Sequence, residues 1–217
     1  MKKVTFFVFL TIVGLHVFAQ SEETKEIQQV FDACISFRNA VWMDDADSIR
    51  LSAVALQQCK MDEFGSLTCD DEAEQSFNGH LLFDAEFADS LSNDKSILLR
   101  SDAFAERQRE TRGQTQDGSI LTKTCFVKAG GTGKYKFKAN GHQELGVVAE
   151  AGGRVTMRVH VTNENGLDKR YDDREDVKSG RPQRKVAFEM PKEGLCDVEL
   201  EVVNCSGRDI SFVVISN

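Results

Sequence analysis

Polar and apolar residues alternate along much of the second half of the chain. Val155, Met157, Val159 and Val161 are separated by Thr156, Arg158 and His160 and followed by Thr162, the two-residue period of a strand with one face buried and the other in water. Tyr135, Phe137 and Ala139 alternate with three lysines, and Val198, Leu200 and Val202 with Glu199 and Glu201. The spacing predicts strands at 120–127, 133–139, 145–150, 153–162, 184–190, 195–203 and 209–216. Turn residues fill the gaps: Gly130-Gly131, Asn140-Gly141, Gly152-Gly153, Pro191 and Ser206-Gly207. About seven short strands joined mostly by short turns make an antiparallel β-sandwich.

The first half has a different period. Ile27, Val30, Phe31, Cys34, Phe37 and Val41 recur at steps of three and four, one face of a helix. Ser21 is placed to cap it, with Glu22, Glu23 and Glu26 complementing its N-terminal dipole. A second helix is expected from Asp45 or Asp47, burying Ile49, Ala53, Leu56 and Cys59. Further helices are expected after Asp84 and Asp94, behind a short apolar segment at 80–83. The fold class is α+β: a small helical region, then the sandwich.

Charge divides the chain at the same place. Residues 20–118 carry 9 basic and 21 acidic residues, net −12, and residues 119–217 carry 16 and 14, net +2. Between them, RQRETRGQTQDGS is wholly polar. The organisation read from this is a signal at 1–19, a helical region at 20–106, a linker at 107–118 and a sandwich at 119–217. The overall charge of −8 disfavours a nucleic-acid partner, which needs a basic surface.

The signal rests on Lys2 and Lys3, the apolar run Val4 to Val17, and small residues ending at Ala19. Cleavage before Gln20 and a periplasmic or secreted location are expected. No second apolar run is long enough for a membrane span. Export puts six cysteines where disulfides form. Cys196 and Cys205 stand about 30 Å apart along one strand and cannot pair. Cys59 and Cys69 flank a short segment containing Gly65 and are the candidates for a local bridge, with buried thiols as the alternative.

Catalytic signatures are sparse. HExxH, CxxC and GxSxG do not occur. Gly130-Gly131-Thr132-Gly133-Lys134 lacks the spacing of a phosphate loop and is read as a hairpin turn. His160 alternates outward with Arg158, which predicts a solvated position. Asn204-Cys205-Ser206 fits a glycosylation sequon. No cofactor is expected. The unusual stretch is the long connection between 153–162 and 184–190, where Asp168, Asp172, Asp173, Arg174 and Asp176 cluster with other charges. A connection of about 20 residues without an apolar pattern is long for a compact domain. It is read as a self-neutralising loop, with a partner or ligand contact as the functional reading. A calcium site at Asp172, Asp173 and Asp176 is the metal alternative, opposed by the interleaved Lys169, Arg170 and Arg174.

The run from KYKFKANGHQELGVV through Phe188, Pro191 and Gly194, then Val198 to Val203, Asn204 and Phe212 to Ile215, resembles the bacterial pre-peptidase C-terminal domain family over about the last 85 residues. The resemblance implies a non-catalytic jelly-roll module of a kind found beside secreted peptidases. The helical region plus this sandwich also resembles uncharacterised secreted proteins of Gram-negative bacteria. The expected function is an exported binding or interaction protein, with an unknown protein or carbohydrate ligand of the cell envelope. The alternative is an exported hydrolase with carboxylates where the helices meet the sandwich.

Overall fold

Glu22–Met43 forms helix α1 and Ala46–Gln58 forms helix α2 in a computed structural model that describes residues 22–59, 61–69, 120–172 and 180–217. The periodic face of α1 is buried, with Ile27, Val30, Cys34 and Phe37 each at most 2% exposed. The helix ends at Asp44, whose φ of 54° reverses the chain. Asp45 then caps α2, its carboxylate accepting from the N–H groups of Asp47 and Ser48 at 3.1 and 3.4 Å. Those amides have no partner inside the helix, so the cap supplies one. The Ser21 cap, residues 1–19, the segment 80–83, the helices after Asp84 and Asp94, and the linker 107–118 lie outside the described residues.

After α2 come two short strands, β1 (Met61–Glu63) and β2 (Thr68–Cys69). Eight more follow: β3 (Ile120–Val127), β4 (Thr132–Ala139), β5 (His142–Ala149), β6 (Val155–Thr162), β7 (Asp168–Asp172), β8 (Gln183–Glu189), β9 (Cys196–Asn204) and β10 (Ile210–Ser216). They pair in the order β1-β3-β10-β5-β8 in sheet A and β2-β4-β9-β6-β7 in sheet B. Pairing is antiparallel throughout except between β1 and β3. The wiring of β3 to β10 is that of a jelly roll. The α+β class and the sandwich are therefore as the sequence predicts, and the seven expected strands all form. β1, β2 and β7 are additional.

Two cores result. Between the sheets, Tyr135 and Phe212 meet edge to face at 5.7 Å, among Leu145, Val159, Leu200 and Val214. Outside sheet A, the helices bury Ile27, Phe31, Phe37 and Leu56 against Ile120, Val148, Val213 and Ile215. Gly146 allows the closest approach: a Cβ there would lie 2.9 Å from two ring carbons of Phe31. Asn204, 1% exposed, fastens one end of the sandwich. Its Nδ2 donates to the carbonyls of Val127, Lys128 and Arg208 at 3.2, 3.1 and 2.8 Å.

The Cys59–Cys69 bridge is not formed, and both residues are thiols. Cys59 belongs to the core between helices and sheet A, whereas Cys69 packs against the core between the sheets. Sheet A separates them. Among the described residues no helix is long and apolar enough to cross a membrane.

Candidate functional site

The two outer faces of the sandwich are treated differently. Helices cover sheet A; the outer face of sheet B carries polar side chains set in rows by strand register. Lys134, Glu201 and Arg158 stand side by side, as do Lys136, Glu199, His160 and Arg170, and then Lys138, Asp197, Thr162 and Asp168. Basic positions on β4 therefore face acidic ones on β9, and Glu201 and Glu199 in turn face Arg158 and His160 on β6, while Asp197 faces Thr162. Neighbouring opposite charges stabilise the pairing by a few tenths to about 1 kcal/mol each. The contacts include Arg158 to Glu201 at 3.0 Å, Lys138 to Asp197 at 2.9 Å and His160 to Asp168 at 2.8 Å. The hydrogen bond from Lys138 to Asp197, with their attraction, holds the Lys138 ammonium above its ordinary pKa.

In the middle of this face lies a depression of about 370 Å³, lined by Arg158, Val159, His160, Arg170, Glu199 and Glu201. It offers two guanidinium groups, an imidazole and two carboxylates, so donors and acceptors converge on one space. Among the described residues no Phe, Tyr or Trp stands on this face. A second depression, about 300 Å³, opens beside β8 next to Tyr171, Arg181, Gln183 and Arg184.

The candidate acidic stretch is only partly a loop. Asp168–Asp172 is β7, an edge strand paired with β6. Its sequence, DKRYD, shows no apolar run because β7 lies at the sheet edge, where Tyr171 turns inward against Phe188 at 5.2 Å. A turn signal precedes it: Asn163 Oδ1 accepts from the N–H groups of Asn165 and Leu167, and Gly166 has φ 88°. Asp168 is brought to His160, and Asp172 is in register with Arg158. Asp173, Arg174 and Asp176 lie outside the described residues. Among the described residues no group of three His, Cys, Asp or Glu side chains is arranged to hold a metal ion.

A second polar group sits at the seam between α1 and sheet A. Glu144, with its side chain 6% exposed, lies 2.5 Å from Lys185 Nζ, which also donates to Gln28 of α1 at 3.0 Å. His142 stands between two carboxylates, 2.6 Å from Glu189 and 3.5 Å from Glu144. Sequence reasoning missed this group because its members come from β5, β8 and α1. Burial alone would lower the His142 pKa, but the hydrogen bond to Glu189, reinforced by Glu144, raises it above 6.5. The protonated form is thus favoured in the folded state. Its stabilisation is complete below the unfolded value of about 6.5 and is lost as pH rises through the higher folded value. Melting temperatures measured from pH 6 to 8 should fall more for the native protein than for His142→Gln. Parallel pH profiles would remove His142 as the cause.

No family model and no curated protein matches the chain, so the sandwich is found but membership of the pre-peptidase family is not shown. Among solved structures the chain is similar to the Yersinia pseudotuberculosis-derived mitogen (13% identity, 46% of this chain and 85% of that one, TM-score 0.34). It is also similar to TmCBM61 solved in complex with β-1,4-galactotriose (10% identity, 50% and 77%, TM-score 0.31). A third is PliG of Aeromonas hydrophila, a periplasmic inhibitor of g-type lysozyme (11% identity, 48% and 90%, TM-score 0.29).

Proposed function

We propose that the protein is an exported binding protein that holds a hydroxyl-rich ligand, of saccharide type, on the open face of sheet B. The observation that supports this reading is the depression of about 370 Å³ between Arg158, His160, Arg170, Glu199 and Glu201. Its volume is in the range of small-molecule sites, roughly 300–1,000 Å³. Vicinal hydroxyls donate and accept at once, and paired guanidinium and carboxylate groups answer both functions. With no aromatic platform on this face among the described residues, recognition works through hydrogen bonds rather than ring stacking. The hydrolase reading needs a carboxylate ready to act where helices and sandwich meet. Glu144 is at that seam, but it is committed to Lys185 and His142.

The test is a nitrogen-15 NMR titration of the full mature chain with neutral and uronic-acid oligosaccharides. Shifts should concentrate at residues 158–160, 170 and 199–201, and Arg158→Ala should weaken binding by about tenfold or more. Absence of binding across the panel, or shifts confined to α1 and α2, would reject the proposal.

A further inference from the structure

We infer that the gap between β7 and β8 is a second binding site, for a small organic acid with an apolar body whose carboxylate sits on Arg184. The position of Arg184 follows from strand register. On β8, Val186 stands opposite Leu145 and Arg184 opposite Val147, and both β5 residues belong to the core between the sheets. Paired residues share a face, so Arg184 occupies a position that looks into that core. It is 7% exposed. A guanidinium does not shed its charge, and burying one is costly unless an anion answers it. Five N–H donors let Arg184 keep its contacts within the chain and still receive an oxyanion.

The cavity beside it, about 300 Å³, gives that anion room. Its walls divide by chemistry. Met157, Tyr171 and Val186 form the apolar side, with the Tyr171 ring braced by Phe188 at 5.2 Å. The other side is basic, and none of the described lining residues is acidic. Lys185 is turned to Glu144, so the guanidinium groups of Arg184, inside, and Arg181, at the rim, receive the anion. Arg181 is held there by its backbone, whose N–H and C=O both bond Val155, at 2.9 and 2.7 Å. A guanidinium takes a carboxylate through two parallel hydrogen bonds, and the apolar walls favour a hydrocarbon body behind it. The depression on sheet B differs, since it mixes Glu199 and Glu201 with its cations. At the opposite side of the sandwich Phe64 and Leu67 enter the same core. The acid site is thus separate from the saccharide reading and does not depend on it.

The experiment titrates the full mature chain with sodium benzoate and sodium hexanoate, and with benzamide and inorganic phosphate as controls. Nitrogen-15 NMR and melting temperature are the readouts. Both carboxylates should shift residues 157, 171 and 181–186 and raise the melting temperature. Benzamide, which keeps the ring and lacks the charge, should bind about tenfold more weakly or worse. Phosphate, which lacks the apolar body, should also bind more weakly than benzoate. Arg184→Met keeps an apolar stem of similar length and should abolish the benzoate shifts. Arg181→Gln, at an exposed position, should weaken benzoate about threefold at an unchanged melting temperature, and it decides the matter if Arg184→Met does not fold. The inference is overturned if neither carboxylate shifts these residues, or if benzamide or phosphate binds as tightly as benzoate. Native-like benzoate binding by Arg181→Gln or by folded Arg184→Met overturns it equally.

Discussion

Phe212→Ala should cost about 3–5 kcal/mol, a large part of the total stability of a domain of this kind. Phe212 is fully buried on β10, the middle strand of sheet A, and its ring meets Tyr135 of sheet B edge to face at 5.7 Å. Removing it deletes apolar burial and leaves a void that neighbours from two rigid sheets cannot close. The Tyr135 hydroxyl, which donates to the Phe126 carbonyl at 3.3 Å, anchors that ring and restrains it from filling the space. Urea unfolding should show a lower midpoint at an unchanged slope, and Phe212→Leu should recover a substantial part of the loss. A change under 1 kcal/mol for the alanine variant would mean that the two sheets do not share this contact.

Asn204→Ala comes next, at about 2–3 kcal/mol despite the small change in volume. The side chain is 1% exposed and donates from Nδ2 toward three carbonyls, while Oδ1 accepts from the Ser206 N–H at 2.7 Å. It joins the end of β9 to the end of β3 and to the turn before β10. Alanine would leave buried carbonyls and an amide without this partner, and none can be satisfied by methyl. The Asn204-Cys205-Ser206 sequon is consequently not a place for a glycan, because Nδ2 is already enclosed by backbone. Unfolding of Asn204→Ala within 0.5 kcal/mol of the native protein would show that water replaces these bonds at no cost.

Seven strands were legible because each carries enough residues to show a period of two. β5 begins earlier than the apolar run suggests, at His142, because Gln143 and Glu144 are buried polar residues. Gln143 Nε2 donates to Ser216 Oγ at 2.9 Å, and Glu144 is paired with Lys185. Neither partner can be read from the local sequence. β1 and β2, three and two residues long, are too short to show any period. Their pairing is imposed by β3 and β4. At the candidate site the outward position of His160 followed from its alternation with Arg158. The strand carrying Asp168 did not, since an edge strand with a charged outer side resembles a loop in composition. The Asp45 cap was legible because capping depends only on residues two and three positions away.

The chain between α2 and Cys69 has a further consequence. β1 joins sheet A and β2 joins sheet B at the same side of the sandwich, and Phe64 and Leu67, at 2% and 1% exposure, enter the core between them. The Phe64 N–H donates to the Thr122 carbonyl at 2.9 Å, and Lys123 Nζ donates to the Leu67 carbonyl at 2.6 Å. Residues 61–69 and the strands from Ile120 onward thus share two sheets. A fragment beginning at residue 119 carries an open slot shaped for Phe64 and Leu67, with the edges of β3 and β4 unsealed. Residues 61–69 and the strands from Ile120 onward are complementary pieces, and a peptide spanning 61–69 carries both missing edge strands.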